Sequence, residues 1–227
     1  MVTLLTKKMD DLIENKLKEL FCSLVSDVLD ELGYENQAFP HYIRPLDENL
    51  RLIGRARTML YTDIYERPRK NENQYELEIK LVDSLQQGDV AVAACGSSNR
   101  IAPWGGLLST AAKVKKANGA IMDGFVRDVQ QIKKIGFPVY AAGIAPLDSK
   151  GRGKVIEIDV PIECAGVRVC PGDVIFGDAD GCVAIPKKIF SKVLSQSAEK
   201  LKSEKGTLQA LESGRNLGEV FEEFGVL

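Results

Sequence analysis

Apolar residues recur at helical spacing near the start of the chain. Between residues 9 and 32 they fall mostly three or four positions apart, and Gly33 follows as a stop signal. This pattern predicts two helices, or one broken helix, within residues 1–33. Residues 34–50 hold two prolines among mixed polar positions, which predicts a surface connection that leads into the first strand.

Strand-like and helical patterns alternate through the middle of the chain. The predicted order is a strand at 52–61, a helix at 72–85, a strand at 90–94, a helix after Trp104, a strand at 120–122, a helix at 128–135 and a strand at 139–140. Such alternation is typical of an α/β protein whose strands are connected by helices. We therefore expect an α/β fold.

The pattern becomes rich in short strands after Gly153 and then ends in a helical segment. Apolar runs between Gly and Asp turns predict strands at 155–160, 167–169, 174–176 and 182–185. Residues 187–227 are charged and helix-favouring with an intermittent apolar stripe, which predicts a C-terminal helical arm that meets a neighbouring subunit. No internal repeat or linker interrupts the chain, so a single domain over residues 1–227 is expected.

Charge and composition narrow the classes of partner. The chain has 30 basic and 32 acidic side chains and a net charge of −2, so no overall field attracts nucleic acid or an anionic membrane, and neither is expected as a partner. No stretch approaches the ~20 apolar residues of a membrane span. The start of the chain lacks a signal-peptide pattern, and the five cysteines form no Cys-x-x-Cys pair. We therefore expect a cytoplasmic protein with buried, reduced thiols.

Several common catalytic and metal-binding patterns fail in this sequence. The single histidine, His41, cannot build a multi-histidine zinc site and is interpreted as a surface or packing residue. The acidic run Asp178-Ala-Asp-Gly181 lacks ligands at both ends of a calcium-binding loop. It is interpreted as a tight turn between two strands.

One segment, Trp104–Asp128, combines several features of a ligand site. Gly105 and Gly106 precede a predicted helix, where the backbone can approach a ligand closely. The free N–H groups near Leu107 and Leu108 lie in its first turn and form an anion site. Such a site suits a carboxylate or an enolate oxygen.

Arg127 and Asp128 follow the next predicted strand, where an α/β fold presents side chains at the edge of its sheet. A guanidinium can bind a carboxylate through two hydrogen bonds, and the neighbouring carboxylate can coordinate Mg²⁺ or Mn²⁺. Together they are predicted to hold a 2-oxo acid. The alternative is structural: the two residues pair with each other, or Asp128 caps the following helix.

This segment resembles the family that contains 4-hydroxy-4-methyl-2-oxoglutarate / 4-carboxy-4-hydroxy-2-oxoadipate aldolase and the regulator of ribonuclease activity A. The similarity covers most of the chain. It is carried by Ser26-Asp-Val-Leu-Asp-Glu-Leu-Gly33, Gly88-Asp-Val90, the Trp104–Asp128 block, Val169-Cys-Pro-Gly-Asp173 and Asp180-Gly-Cys-Val-Ala-Ile-Pro186. It implies a three-layer β/β/α core of the swivelling-domain type, with N-terminal helices and a C-terminal helical arm, that assembles as a homotrimer or homohexamer.

The resemblance also implies roles for individual residues. Asp128 would bind the divalent metal, Mg²⁺ or Mn²⁺. Arg127 would bind the carboxylate or keto oxygen of a small 2-oxo acid. The turn that begins at Gly106 would bind the opposite edge of the pyruvate unit through the amides of Leu107 and Leu108.

The chain departs from the family pattern at two positions and resembles it at a third. The aldolases carry an acidic residue, twenty intervening positions and then Arg-Asp, but Gly106 occupies the first position here. Relatives with glycine at that position often carry an acid three residues after the aspartate, where this chain has Gln131. Glu204 resembles an acid that the family's C-terminal arm contributes to the substrate site of a neighbouring subunit.

The implied activity is that of a carbon–carbon lyase. A class II type, divalent-metal-dependent aldolase would cleave a 4-hydroxy-2-oxo acid to pyruvate, and oxaloacetate decarboxylation is a related reaction because both stabilise an enolate. Another 2-oxo or sugar acid is a second possible substrate. The alternative in a different class is a non-catalytic regulator that binds ribonuclease E or an RNA helicase.

Overall fold

A computed structural model describes Leu17 and residues 19–225 of the chain. The helices are α1 (Cys22–Glu31), α2 (Glu76–Ser84), α3 (Gly106–Val114), α4 (Val129–Ile135), α5 (Phe190–Glu212) and α6 (Leu217–Phe224), with a 3₁₀ turn at Lys187–Ile189. The strands are β1 (Arg44–Pro45), β2 (Leu52–Asp63), β3 (Asp89–Ala94), β4 (Gly119–Val126), β5 (Val139–Ile144), β6 (Gly153–Ile158), β7 (Ile162–Cys164), β8 (Val167–Val169), β9 (Val174–Asp178) and β10 (Gly181–Ile185).

An eight-stranded mixed sheet forms the centre of the fold. Its order is β1-β5-β4-β3-β2-β9-β10, and β6 also pairs with β2. Strands β2 to β5 are parallel to one another, whereas the pairings of β1, β6, β9 and β10 are antiparallel. The long strand β2 pairs with β9 along its first residues and with β6 along its last.

The two faces of the parallel strands are covered by different layers. Strand β3 is buried at every position, as expected for a parallel strand covered on both sides. Its Ala91 and Ala93 belong to a core that includes residues of α2, α3 and α4. Its Val90 and Val92 belong to a second core with the β7–β8 ribbon. The predicted three-layer β/β/α core is therefore confirmed.

The two ends of the sheet approach each other and give it a nearly closed, barrel-like form. The Arg44 guanidinium on β1 donates hydrogen bonds to the carbonyl oxygens of Ala179 and Asp180 at 2.8 and 2.7 Å. The Tyr140 hydroxyl on β5 donates to the carbonyl oxygen of Asp178 at 2.9 Å. These contacts join the β1–β5 end to the β9–β10 turn, which is the tight turn predicted from the acidic run.

Helices from the two ends of the chain pack together. Helices α1 and α5 share a third apolar core with β9 and β10. Helix α1 ends at Glu31, just before the predicted stop signal Gly33, whose positive φ of 78° fits the left-handed position after a helix end. The predicted helical segments in residues 1–16, at residue 18 and in residues 226–227 lie outside the described residues.

Several predicted element bounds are wrong. Helix α2 begins at Glu76, because residues 69–75 form turns, and β4 continues through Val126 rather than ending at Met122. Strand β1 lies inside the segment predicted to be a surface connection.

The predicted buried thiols are confirmed for Cys22, Cys95, Cys164 and Cys182, whereas Cys170 is half-buried. No helix of the described part of the chain is long and apolar enough to cross a membrane.

Candidate functional site

The loop before α3 and the end of β4 lie side by side. Trp104 forms an isolated parallel bridge with Val126, and the Arg127 N–H donates to the Trp104 carbonyl oxygen at 3.0 Å. These backbone bonds bring the Gly105–Gly106 turn next to the Arg127–Asp128 pair. The structure thus joins the two halves of the segment that the sequence singled out.

Trp104 anchors this junction in the core. Its side chain is 1% exposed, and its indole N–H donates to the hydroxyl of Ser109 on α3 at 2.8 Å. Its ring stacks on Phe137 with centroids 6.5 Å apart and an interplanar angle of 12°. The start of α3 is therefore held in a fixed position relative to β4.

Asp128 has a backbone conformation that is rare for a side-chain-bearing residue. Its φ of 59° places it in the left-handed region at the N-cap position of α4, and such conformations concentrate at functional sites. Its carboxylate makes no capping hydrogen bond to α4. Instead, Oδ2 accepts the Gly106 N–H at 3.0 Å, so the carboxylate faces α3. The structural alternative is therefore correct in part: Asp128 lies at the N-cap position and pairs with Arg127 at 3.9 Å, but its carboxylate does not cap α4.

The turn at Gly105 leaves room for the Asp128 carboxylate. A Cβ atom at Gly105 would lie 2.7 Å from Asp128 Oδ2 and 3.0 Å from Arg127 Cγ. A residue with a side chain at this position would displace the carboxylate or the arginine. The glycine is therefore required by close approach, since its own φ of −158° is open to any residue.

The first turn of α3 presents free backbone donors. The Leu107 and Leu108 N–H groups have no partner within the helix, and they donate to no other residue of the described chain. Gly106 differs from them, because its N–H is taken by Asp128. Both leucines line a cavity of about 250 Å³ next to the Arg127–Asp128 pair.

Arg127 reaches three oxygen groups around this cavity. Its Nε lies 3.9 Å from Asp128 Oδ2, and its Nη1 lies 3.5 Å from Asp148 Oδ2. Nη1 also donates to the Leu147 carbonyl oxygen at 3.4 Å. These contacts hold the Arg127 side chain in place, and at 37% exposure it remains accessible from the cavity.

Three ionisable residues of the cavity were missed by the sequence reasoning. They are Tyr75, Glu78 and Asp148. The Tyr75 hydroxyl donates to Asp148 Oδ1 at 2.9 Å, which links α2 to the loop before β6. Because Tyr75 and Glu78 lie far from Asp148 and Arg127 in sequence and the three residues match no motif, no local pattern could have identified them.

The electrostatics of the cavity distinguish its carboxyl groups. Burial, with a smaller contribution from the neighbouring Asp148, raises the pKa of Glu78 to about 7 against the opposing effects of Tyr61 and Arg127. Burial also raises the pKa of Asp148, but hydrogen bonds from the Lys150 N–H and the Tyr75 hydroxyl outweigh it. The pKa of Asp148 therefore lies below its usual value.

The donor set around Asp128 fits a magnesium-type ion. Oδ2 is engaged by Gly106, while Oδ1 accepts no hydrogen bond from any residue that the structure describes. No group of three or more His, Cys, Asp or Glu side chains with metal-binding geometry occurs in the described residues. A single carboxylate suits Mg²⁺ or Mn²⁺, which keeps several waters when bound. A closed structural zinc site would need four side-chain ligands.

The side chain of Gln131 occupies the space beside Gly106. A Cβ atom at Gly106 would lie 3.0 Å from Gln131 Cγ and closer still to its amide group. The two positions at which the chain departs from the aldolase pattern are therefore in contact. The amide of Gln131 therefore lies against the position at which the aldolase pattern has an acid.

Glu204 lies apart from these residues within one chain. It lines a groove between α1 and α5 together with Phe21, Asp27 and Leu208. Burial raises its pKa, with a further contribution from Asp27. Its predicted role at a neighbouring subunit's site stays a prediction.

His41 is exposed beside Tyr42, in agreement with the predicted surface position.

Proteins similar in sequence to this chain include one named as an aldolase. The chain is 32% identical over 183 residues to an uncharacterized protein of Methanocaldococcus jannaschii, covering 78% of this chain and 82% of that protein. It is 30% identical over 159 residues to a 4-hydroxy-4-methyl-2-oxoglutarate aldolase of Thermus thermophilus, covering 70% of this chain and 90% of that protein.

Solved structures share the fold. One described as novel cellulases from gut-associated microbes has a TM-score of 0.81 and 29% identity, with 87% of each chain covered. The RNA-processing inhibitor RraA of Thermus thermophilus has a TM-score of 0.57 and 28% identity, over 71% of this chain and 92% of that chain. Streptomyces coelicolor RraAS2, at 23% identity and a TM-score of 0.76 over 86% and 94% of the two chains, supports the fold alone.

A family model matches most of the chain. The model described as RraA-like: Aldolase/RraA matches residues 22–184, which is more than half of the 227 residues. The matched range includes α3, the Arg127–Asp128 pair and the sheet that positions them. The chain therefore belongs to the RraA-like (aldolase/RraA) family.

Proposed function

We propose that this chain is a divalent-metal-dependent carbon–carbon lyase that cleaves a 4-hydroxy-2-oxo acid to pyruvate. The supporting observation is the convergence of three groups on one cavity: the Asp128 carboxylate, the Arg127 guanidinium and the free N–H groups of Leu107 and Leu108. They combine a hard oxygen ligand with donors for the carboxylate and enolate oxygens of a 2-oxo acid.

Each group has a distinct role in this proposal. Asp128 holds the metal ion, which when bound supplies positive charge at the 2-oxo group of the substrate. Arg127 binds the substrate carboxylate or keto oxygen and is kept in place by Asp148. The Leu107 and Leu108 amides bind the opposite edge of the pyruvate unit, where oriented donors stabilise the developing enolate.

A pyruvate-release assay tests the proposal. Purified protein is incubated with 4-hydroxy-4-methyl-2-oxoglutarate or with oxaloacetate, in the presence of Mg²⁺, Mn²⁺ or a chelator. We expect pyruvate from the first substrate with either metal and none with the chelator. Release from oxaloacetate would extend the activity to decarboxylation, because that reaction needs the same enolate stabilisation. No pyruvate from either substrate would contradict the lyase assignment.

A regulatory role is the second candidate. It is supported by the 28% identity to the RNA-processing inhibitor RraA of Thermus thermophilus. In that case, a pull-down with the tagged chain would recover ribonuclease E or an RNA helicase in near-stoichiometric amounts. The catalytic proposal is preferred because a binding module does not need a carboxylate and an arginine facing one cavity.

We also propose that the chain is a single domain and assembles as a homotrimer or homohexamer. Apolar side chains with large exposed fractions support the assembly: Leu107 is 77% exposed, Val114 76% and Ile144 65%. Exposed apolar groups of this kind often mark protein interfaces. Analytical ultracentrifugation is expected to give three or six times the chain mass of 24.9 kDa.

A Gln131→Glu substitution is expected to tighten metal binding. The Gln131 side chain lies against Gly106, whose N–H holds the Asp128 carboxylate. A second carboxylate there should raise the affinity for Mn²⁺ by about 10-fold. The affinity is measured by titration calorimetry with Mn²⁺. Gln130→Glu is the matched control, since it adds the same charge at the adjacent helix position, and equal effects of the two variants would contradict the argument.

A further inference from the structure

Glu78 is a buried carboxyl group at the candidate site. It lies on α2 one turn after Tyr75, is 6% exposed and lines the same cavity as Arg127 and Asp128. Glutamate is rarely this buried without a partner or a function. The helix would be equally well formed with an apolar residue at this position, so packing alone does not explain the carboxyl group.

Groups from several elements surround this carboxyl. Those that act on it are Tyr61 from β2, Arg127 from the end of β4 and Asp148 from the loop before β6. Glu78 in turn contributes to the raised pKa of Tyr75, the residue that precedes α2. The Tyr61 hydroxyl is buried and makes no hydrogen bond of normal geometry with the described residues. Helix α3 contributes no ionisable side chain to the lining of the cavity.

The balance of these effects leaves Glu78 able to exchange protons at neutral pH. Burial disfavours its charged form and Asp148 adds to this effect, so its pKa rises to about 7 although Arg127 opposes the shift. A group with a pKa near the working pH is effective both as a base and as an acid. Asp148 does not share this property, because its pKa lies below its usual value.

We propose that Glu78 is the acid-base group of this cavity: its carboxylate accepts the proton of the substrate's C4 hydroxyl, and the resulting carboxyl returns that proton to C3 of the pyruvate enolate. The O–H bond and the C3–C4 bond break, a C=O bond forms at C4, and a C–H bond forms at C3. Substrate and products therefore balance without an external proton. This inference rests on the proposed lyase function.

The test separates proton transfer from bond cleavage. Pyruvate is incubated with the protein and Mg²⁺ in D₂O, and the loss of its methyl proton signal is followed by NMR. Pyruvate release from 4-hydroxy-4-methyl-2-oxoglutarate is measured in parallel. The variants are Glu78→Gln, which cannot titrate, Glu78→Asp, which can, and Glu76→Gln as a control on the exposed side of the same helix.

In Glu78→Gln we expect both rates to fall by about 100-fold or more, the size typical of a lost acid-base group. Glu78→Asp should recover part of each rate, and Glu76→Gln should retain both. The wild-type kcat should also change with pH near 7, and this change should be absent in Glu78→Gln.

Three other outcomes would each contradict the inference, and they differ in whether the lyase function also fails. An active wild type whose rates and pH profile persist in Glu78→Gln would overturn this inference and leave the lyase function intact. A Glu78→Gln variant that loses cleavage but keeps methyl exchange would show that Glu78 positions other groups. A wild type with neither reaction would overturn the lyase function and this inference together.

A stability measurement gives a readout that is independent of activity. Folding raises the pKa of Glu78 from its ordinary value of 4.5 to about 7, so the folded state binds the proton more tightly than the unfolded chain does. This contribution to stability is fully present below the unfolded pKa and is lost as the pH rises through the folded pKa. Urea unfolding of the wild type should show this loss, and Glu78→Gln should lack it. If the free energy of unfolding changed with pH in the same way in both proteins, the titration of Glu78 that the inference requires would be contradicted.

Discussion

Replacing Asp128 with asparagine should reduce metal-dependent pyruvate release by about 1000-fold or more, since it removes the charged ligand of the metal and hence the stabilisation of the enolate. The asparagine side chain keeps the shape of the residue. It also tolerates the left-handed conformation at φ 59°, and its amide oxygen can still accept the Gly106 N–H. The loss would therefore report the missing charge and not a changed backbone. Rates are measured with saturating Mg²⁺ and Mn²⁺ in the pyruvate-release assay.

Asp128→Ala provides the comparison for this result. It should lose the same activity and also some stability, because alanine is strained in the left-handed region and leaves the Gly106 N–H without its acceptor. Arg127→Ala should differ from both by weakening substrate binding and enolate stabilisation while Mn²⁺ still binds. Wild-type kinetics in Asp128→Asn and Arg127→Ala would remove this site from consideration.

The chemistry of Arg127 and Asp128 could be predicted because the two residues are adjacent in sequence and follow a strand. The geometry that brings them together with the start of α3 could not be predicted from the sequence. The hydrogen bond from the Gly106 N–H to Asp128 forms beside the bridge between Trp104 and Val126, which brings the two segments together. That bridge joins residues far apart in the chain, so no local pattern specifies it.

The residues missed by the sequence reasoning share one property, which is that only the fold brings them together. Glu78 lies in a predicted helix and Asp148 in a loop, and each is an ordinary charged position in its own segment. Tertiary structure buries the first and ties the second to Tyr75 and Arg127. Their altered pKa values therefore follow from packing and not from sequence context.

The bounds of β4 show a similar limit. The predicted strand ends at Met122, and glycine at position 124 is typical of a turn. The strand instead continues to Val126 with an irregular register opposite β5. Asp123 is tolerated at 3% exposure since its carboxylate accepts the N–H groups of Cys95 and Ala165. A long-range hydrogen-bond network thus overrides the local signal.

Replacing Trp104 with alanine should lower the free energy of unfolding by about 3–5 kcal/mol, the usual cost of truncating a fully buried large aromatic residue. The change removes the ring that stacks on Phe137, and it leaves the buried Ser109 hydroxyl without its hydrogen-bond donor. It should also lower lyase activity, because the Trp104 backbone and ring together hold the start of α3 beside Arg127. Urea unfolding is followed by circular dichroism, since Trp104 is the only tryptophan in the chain and its fluorescence is lost in the variant.

A double-mutant cycle separates the hydrogen bond from the packing. Trp104→Phe retains most of the ring volume but leaves the buried Ser109 hydroxyl unpaired, at a cost of about 1–3 kcal/mol. Ser109→Ala leaves the indole N–H unpaired at a similar cost. Trp104→Phe/Ser109→Ala removes both polar groups, so its destabilisation should be smaller than the sum of the single changes. Additive effects would mean that the 2.8 Å contact contributes no coupling and that packing alone anchors the start of α3.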